Sequence, residues 1–337
     1  CQVMSGTYTI GDTSLGADYP HFNAAIAAMN NCGIGGTVTF NVQPGTYVGQ
    51  VSVPEIAGAS FSNRVVFQSS TGNAADVVVK YLPTLSTANW VWRFDGADYI
   101  DLKDITIRVD SAAPSYGRAI ELYGGANYNQ ITGCIVQSVP NVTSSNFAGI
   151  YSTSSFQDEF NIITGNTIQN GYYGIYYYGS SSALETGNIF ENNTIEGYYY
   201  YGMYLYYQYG MIVTGNTMQN GPNSTYAYGI SSYYNDGPNQ ITKNRINLTG
   251  TTYSYGLYHL YNDATALEPA LIANNWISTS NATATGGRGI YSGYSNFQQV
   301  YHNSISVQTS GTASYPVYFY ASTTTSASME FVNNIFA

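Results

Sequence analysis

A six-residue motif recurs nine times along the chain and restricts the possible folds more than any other feature. Most copies read hydrophobic-x-x-Asn-x-hydrophobic, and the fourth positions of successive copies lie 23 to 32 residues apart. The copies span 102–107, 131–136, 163–168, 190–195, 213–218, 241–246, 272–277, 300–305 and 331–336. A fixed motif separated by variable gaps indicates stacked repeats whose strands keep register while their turns change length.

A second series of apolar residues lies between the motifs and has the same period. Within both series the apolar residues alternate with period two rather than 3.6, which excludes helical repeats. A coil of about 28 residues has room for two or three short strands. We therefore predict an all-β fold, a right-handed parallel β-helix (solenoid) in which each strand pairs with its copies above and below.

The fourth motif position predicts a column of stacked side chains. It is Ile105 and Cys134 in the first two copies and asparagine in the other seven, namely Asn166, Asn193, Asn216, Asn244, Asn275, Asn303 and Asn334. An asparagine at the same bend of every coil can bond its amide to the next asparagine and to turn backbone, as in cross-β ladders. We expect an asparagine ladder, and Cys134 as a small core residue.

Tyrosine follows the inward apolar residue in six copies of the second series, so these side chains should point outward. They are Tyr151, Tyr176, Tyr204, Tyr258, Tyr291 and Tyr318, and Ser231 interrupts them once. We predict an external aromatic stripe that contacts a partner or stacks on sugar rings. The alternative is that these rings only fill strand surface.

Residues 1–95 depart from the regular pattern and predict an N-terminal cap with the first irregular coils. Tyr19, Phe22, Ile26 and Met29 mark one face of an amphipathic helix at about 18–31, which would cover the open hydrophobic end. Strand-like runs follow at 37–42, 47–53, 64–68 and 77–80. Residues 96–337 are the regular coils, and we expect further coils beyond residue 337.

The composition limits the classes of partner that the protein can bind. Only 8% of residues are charged, the net charge is −10 and 36 residues are tyrosine. A nucleic-acid partner requires cations that are scarce here, and no apolar run is long enough for a transmembrane helix. Cys1 and Cys32 either pair in a disulfide, which suits an extracellular protein, or Cys1 carries the lipid of a processed bacterial lipoprotein.

Five N-terminal segments carry a resemblance to a known group of proteins. They are 5–11 (SGTYTIG), 24–26 (AAI), 36–42 (GTVTFNV), 44–47 (PGTY) and 63–69 (NRVVFQS). This region resembles a segment common in large secreted, adhesin-like surface proteins of Bacteroidota. The resemblance implies export by the type IX route and display at the cell surface, and Ser111 lies in a triplet that looks like an O-glycosylation site of that phylum.

Asp236 and Asp263 are the best candidates for a metal site or for catalysis. They lie 27 residues apart, which is one coil, so their carboxylates should stack. Stacked carboxylates either recruit a cation, for which calcium is the candidate, or act in catalysis. The alternative is that each aspartate caps its own turn through backbone N–H groups, and we expect no other cofactor.

These observations favour a cell-surface or extracellular structural or adhesive protein, a rod-like scaffold or filament component with tyrosine-rich contact faces. We expect it to bind other copies of itself or other surface proteins, with glycans as a further class of partner. The alternative is a carbohydrate-active enzyme, a polysaccharide lyase or glycoside hydrolase, or a carbohydrate-binding module. Scarce ionisable groups in the coils favour the structural role over catalysis.

Overall fold

The structure is a computed structural model that describes residues 1–110, 115–153, 156–281, 285–320 and 328–337. In these ranges the chain winds into a right-handed parallel β-solenoid of about 11 turns. Three long parallel sheets of twelve, eleven and ten strands form its walls, which we call sheets 1, 2 and 3. The predicted all-β parallel β-helix is confirmed.

Each coil contributes short strands to the three sheets in turn. Sheet 1 contains Met4–Ile10, Ile34–Val42, Val65–Ser69, Ile100–Lys103, Gln130–Thr132, Ile162–Thr164, Ile189–Glu191, Ile212–Thr214, Gln240–Thr242, Ala270–Ala273, Gln298–Tyr301 and Met329–Val332. Sheet 2 contains Gly45–Val48, Val77–Tyr81, Thr106–Val109, Ile135–Gln137, Thr167–Gln169, Thr194–Tyr198, Thr217–Asn220, Arg245–Thr249, Trp276–Asn281, Ser304–Thr309 and Ile335–Phe336. Sheet 3 contains Val51–Pro54, Trp90–Asp95, Gly117–Tyr123, Phe147–Ser152, Tyr173–Tyr178, Tyr201–Tyr206, Tyr226–Tyr233, Tyr253–Leu260, Gly286–Gly293 and Tyr315–Tyr320. A fourth, two-stranded sheet pairs Glu185–Thr186 with Gln208–Tyr209.

The six-residue motif forms the corner between sheets 1 and 2. Its first residue lies in a strand of sheet 1 and its last in a strand of sheet 2, and both are buried in the first eight copies, as Ile131 and Val136 illustrate. The third residue adopts a left-handed backbone in all nine copies, which turns the chain through the corner. These residues are Asp104, Gly133, Gly165, Asn192, Gly215, Lys243, Asn274, His302 and Asn333. Glycine and asparagine tolerate this conformation best, which explains their frequency there.

The fourth motif position forms the predicted ladder. Asn193 donates from its backbone N–H and from Nδ2 to Oδ1 of Asn216, both at 3.0 Å, and also from Nδ2 to the carbonyl oxygen of Ile163 at 2.8 Å. The same pattern joins the other asparagines as far as Asn334. Cys134 begins the column, since its N–H donates to Asn166 and its thiol is buried in the core.

The N-terminal helix spans Phe22–Cys32, four residues later than the predicted start. The residues before it pair with the first strand instead, because Tyr19 forms a β-bridge with Ile10 and the Asp18 carboxylate accepts from Thr9. His21 caps the helix through its ring nitrogen.

The predicted run 47–53 is two strands rather than one. Gly45–Val48 belongs to sheet 2 and Val51–Pro54 to sheet 3, so the chain turns a corner between them. The first residues thus already form coils of the solenoid. A disulfide joins Cys1 to Cys32, with Cα atoms 5.5 Å apart, and ties the chain start to the helix end. Within the described ranges, no helix has the length and apolar character needed to span a membrane.

Candidate functional site

The outer face of sheet 3 carries three columns of tyrosine, which together we call the tyrosine face. The central column is Tyr151, Tyr176, Tyr204, Tyr258, Tyr291 and Tyr318. The leading column, three residues earlier in each strand, is Tyr173, Tyr201, Tyr228, Tyr255 and Tyr315. The trailing column, two residues later, is Tyr123, Tyr178, Tyr206, Tyr233 and Tyr320.

Strand alternation places these rings outside. Tyr176 is half-buried, whereas Ile175 and Tyr177 on either side of it are fully buried in the core. Parallel pairing then sets each tyrosine directly over its copy in the next coil, as Tyr176 is paired with Tyr204. The predicted outward stripe is thus formed, and the flanking columns widen it.

The central column is a stack of nearly parallel rings. The centroids of Tyr151 and Tyr176 lie 4.5 Å apart with 6° between the planes, and those of Tyr176 and Tyr204 lie 4.9 Å apart at 3°. Tyr291 stacks on Tyr258 at 5.2 Å and on Tyr318 at 5.3 Å. The spacing follows the strand repeat of about 4.8 Å.

Ser231 does not break the stack, because the trailing column fills its place. The ring of Tyr206 lies 4.0 Å from Tyr204 at 7°, and Tyr233 follows at 4.9 Å. Tyr233 then stacks on Tyr258 at 6.2 Å. Ser231 itself is buried beneath these rings.

Stacking determines which part of each tyrosine reaches solvent. The ring faces in the middle of the column are covered by neighbouring rings, so the outer surface consists of ring edges and hydroxyl groups. Burial raises the pKa of Tyr176 and Tyr204, and it raises the pKa of Tyr258 to about 12, so the phenols stay neutral. Neutral phenols both donate and accept hydrogen bonds, which suits hydroxyl or amide partners better than flat stacking on sugar rings.

Arginine borders the tyrosine face towards both ends. The guanidinium carbon of Arg118 lies 3.4 Å from the centroid of Tyr151. That of Arg288 lies 4.7 Å from Tyr291 and 5.1 Å from Tyr318. Cation–π contacts of this kind hold the guanidinium groups against the rings.

Asp236 and Asp263 stack one coil apart, as their spacing predicts. The backbone N–H of Asp263 donates to Oδ1 of Asp236 at 3.2 Å, and Asn296 donates from Nδ2 to Oδ1 of Asp263 at 2.8 Å. Burial, with the Asp263 charge as a lesser cause, raises the pKa of Asp236. The described residues include no cluster of three or more His, Cys, Asp or Glu side chains fit to hold a metal. Calcium at this pair therefore stays a prediction.

A second buried polar column lies at the corner between sheets 3 and 1, and sequence reasoning missed it. Its members are Asp158, Glu185, Gln208, Asn235, Asn262 and Ser295. Each accepts a hydrogen bond from the coil before it, as when Asp158 accepts from the N–H of Ala126 at 2.8 Å and Asn235 accepts from that of Gln208 at 2.8 Å. The signal available was the polar residue that follows tyrosine at 207–208, 234–235, 261–262 and 294–295.

Two members of this column are carboxyl groups without solvent contact. An adjacent acidic pair such as Asp158–Glu159 is typical of a solvated loop, and this expectation is wrong for Asp158, which is 0% exposed, as is Glu185. Burial raises the pKa of Asp158 to about 6 and that of Glu185 well above its usual value. Ser152 Oγ donates to Asp158 at 2.7 Å, and Gln208 Nε2 donates to Glu185 at 2.7 Å. Ser111, the predicted glycosylation site, lies outside the described residues.

Solved structures share this fold with little sequence identity. The surface adhesin PfbA of Streptococcus pneumoniae matches with a TM-score of 0.57 and 13% identity over 94% of this chain and 86% of that one. A GH136 lacto-N-biosidase from Eubacterium ramulus matches at 0.56 and 10% identity over 96% and 67%. The mannuronan C-5 epimerase AlgE4 A-module of Azotobacter vinelandii matches at 0.51 and 13% over 94% and 89%.

At such identities these likenesses show the fold alone, because one fold hosts many unrelated functions. No curated protein sequence matched this chain. The family model for the right handed beta helix region matches residues 93–268, more than half of the chain. The chain therefore belongs to the right-handed β-helix family.

Proposed function

We propose that this protein is a structural or adhesive scaffold of the cell surface or extracellular space, whose tyrosine face is its contact surface. One observation carries the proposal, namely the three tyrosine columns of sheet 3, which stay in register over successive coils. About eleven stacked coils give a rod roughly 50 Å long. The rod presents these columns along its length.

Tyrosine is well suited to such a contact. It is enriched in protein interfaces and binding loops because it offers a large amphipathic surface with only two side-chain torsions to order. Stacking already orders these torsions in the free protein, so binding loses less side-chain entropy than it would on an exposed flexible surface. The low charge of the chain also reduces the desolvation cost of contact.

Three further features support an extracellular location. The Cys1–Cys32 disulfide is typical of oxidising compartments. A surface adhesin shares the fold. The N-terminal resemblance to secreted Bacteroidota proteins adds export by the type IX route to this proposal.

The proposal is tested by removing rings from the central column without disturbing the sheet. Ser231 occupies this column naturally, so a triple variant with Tyr176→Ser, Tyr204→Ser and Tyr258→Ser is the matched change. Wild-type and variant chains are compared on arrays of surface glycans and extracellular matrix proteins, and self-association is measured by sedimentation. We expect the wild type to bind at least one partner and the triple variant to lose at least tenfold in affinity, because interface tyrosines are common hot spots.

A second triple variant controls for general loss of tyrosine. Tyr128, Tyr234 and Tyr261 lie in the connections between sheets 3 and 1, in a left-handed backbone that asparagine also tolerates. All three are therefore changed to Asn. This variant should bind like the wild type. Equal binding by both triple variants would contradict the proposal. So would turnover of a polysaccharide by the purified chain that is lost in Asp236→Ala, because it would establish the enzyme alternative.

A further inference from the structure

A cavity of about 380 Å³ opens at the end of the tyrosine face where Arg93 and Arg118 lie. Sheet 3 supplies most of its wall, with the segment before Trp90 on one side. Its lining includes Asn89, Trp90, Arg93, Arg118, Glu121 and Tyr123. The volume lies within the range of about 300–1,000 Å³ that is usual for small-molecule sites.

The charged residues of this cavity take the place of tyrosine in the columns. Glu121 is paired with Tyr151 and with Arg93 in the central column, and Arg118 continues the leading column. Glu121 is buried and forms ion pairs with both arginines, 3.0 Å from Arg93 Nε on one side. Two guanidinium groups against one carboxylate leave one positive charge in a chain whose net charge is −10.

Aromatic rings hold both guanidinium groups in place. The guanidinium carbon of Arg93 lies 4.3 Å from the centroid of Trp90 and 3.8 Å from that of Tyr123, while Arg118 rests on Tyr151. Fixed guanidinium groups lose little entropy when they bind a carboxylate and match its planar geometry.

Three buried polar atoms in the same wall lack hydrogen-bond partners among the described residues. Asn89 is only 3% exposed, and its Nδ2 donates to the carbonyl oxygen of Asn146, but its Oδ1 has no partner within the described part of the chain. Trp90 Nε1 and Arg118 Nε are likewise buried and unpartnered among the described residues. Unsatisfied buried groups are costly, so a cluster of them at a cavity indicates a ligand that supplies the missing hydrogen bonds.

We infer that this cavity binds the carboxylate-bearing sugar of an acidic polysaccharide. The net positive charge of the two arginines and Glu121 favours a carboxylate as ligand. The unpartnered Asn89 Oδ1 can accept hydrogen bonds from sugar hydroxyl groups, and the unpartnered Trp90 Nε1 and Arg118 Nε can donate to them. The inference rests on the proposed contact role of the tyrosine face. The cavity lies at one end of that face and would anchor one end of an acidic glycan chain there. The adjoining phenol hydroxyls then meet the sugars that follow.

The test is calorimetric titration of the whole chain with paired ligands that differ only in charge. Trigalacturonate is compared with its methyl ester, and sialyllactose with its methyl ester, which separates a uronate source from a sialic acid source. We expect one acidic probe to bind at least about tenfold more tightly than its neutral partner, as the loss of a charge-assisted hydrogen bond implies. The affinity should fall as ionic strength rises.

Arg118→Gln should weaken binding of the acidic probe about tenfold or more. Arg288→Gln is the matched control, since Arg288 stands in the same column and also contacts tyrosine rings, but lies outside the cavity. It should leave the affinity unchanged. The ligand-side comparison needs no variant, so a folding defect in Arg118→Gln does not decide the outcome.

Three results would overturn the inference. They are equal affinity for acidic and neutral probes, unchanged affinity in Arg118→Gln, and equally tight binding of a triglutamate peptide, which would make the site an anion site for proteins. None of them removes the contact role of the tyrosine face. That role falls only if the triple serine variant keeps its array partners.

Discussion

Tyr176 lies flat on Tyr204, with ring centroids 4.9 Å apart and 3° between the ring planes. The distance matches the rise between coils, about 4.8 Å, so the backbone register alone brings the rings into contact. A partner of this face therefore meets a grid of phenol hydroxyls and ring edges with the period of the solenoid. Repeating polymers and extended chains are the kinds of molecule that can match such a period.

Removing one asparagine of the ladder should destabilise the protein most in the middle of the ladder. Asn216→Ala removes the acceptor of the Asn193 N–H and Nδ2, and the donor to the carbonyl oxygen of Phe190. Because each of these buried groups loses its partner, we expect the free energy of unfolding to fall by about 3 kcal/mol or more. Urea denaturation measures the difference.

The control for this change is Asn334→Ala at the last asparagine of the ladder, where the side chain is only half-buried. The cost there should be smaller, because the freed N–H groups of Asn303 have easier access to water. Equal losses at the two positions would contradict a role for burial in the ladder.

Asp158→Asn should stabilise the protein at neutral pH. Burial raises the pKa of Asp158 from 3.8 to about 6, so the folded state holds a proton that the unfolded state releases. The contribution of Asp158 to the free energy of unfolding is fully present below pH 3.8 and is lost as the pH rises through about 6. Asparagine keeps the acceptor for Ala126 N–H, as in the other coils, and should add on the order of 1–3 kcal/mol at pH 7.

Thermal unfolding of wild type and Asp158→Asn between pH 3.5 and 8 measures this difference. The two curves should converge at low pH and separate progressively between about pH 4 and 6. A variant that is less stable than wild type at pH 7 would show that the ionised carboxylate is favourable and would refute the account of this column.

His259 should give the opposite pH dependence. It is buried, its Nε2 lies 2.9 Å from Oε1 of Gln298, and burial lowers its pKa from 6.5 to about 4. The unfolded state takes up a proton first, so this contribution is present above pH 6.5 and is lost as the pH falls through about 4. In His259→Gln this pH-dependent loss of stability should be absent. The free energy of unfolding should therefore fall less from pH 6.5 to 4 than in wild type.

Asp158 and His259 therefore oppose each other between about pH 4 and 6. As the pH falls through this window, His259→Gln should gain stability relative to wild type and Asp158→Asn should lose it. An unchanged slope in His259→Gln would mean that the histidine is not protected from protonation in the folded state.

Ser231→Tyr, which completes the central column by sequence, should destabilise the protein. The rings of Tyr206 and Tyr233 already bridge the gap between Tyr204 and Tyr258. An added ring has to displace them, and overpacking of this kind costs about 1–3 kcal/mol. A chemical denaturation midpoint equal to or above that of wild type would show that the gap was empty.

The sequence predicts the corner of sheets 1 and 2 well because all its determinants are local. Six consecutive residues contain both inward apolar positions, the left-handed residue and the ladder position, and they recur nine times, with asparagine at the ladder position in seven copies. The helix start was harder to predict, because Asp18 and Tyr19 are held by the first strand rather than by the helix pattern.

The buried column of Asp158 and Glu185 could not be predicted in the same way. Its members are Asp, Glu, Gln, Asn and Ser in different coils, so no single residue type marks the position. They also lie in a corner whose length varies, which hides the period. Only strand register shows that Arg93 and Glu121 stand in the column that becomes tyrosine from Tyr151 onward.

Footprinting of the bound chain by hydroxyl radicals tests the central claim most directly. The partner found on the arrays is mixed with wild-type protein, and oxidation is quantified for each tyrosine. Protection of Tyr176, Tyr204 and Tyr258, with Tyr128 and Tyr234 oxidised as in the free chain, is the predicted result. Protection of the corner tyrosines instead, with the sheet 3 tyrosines unchanged, would contradict the assignment of the tyrosine face as the contact surface.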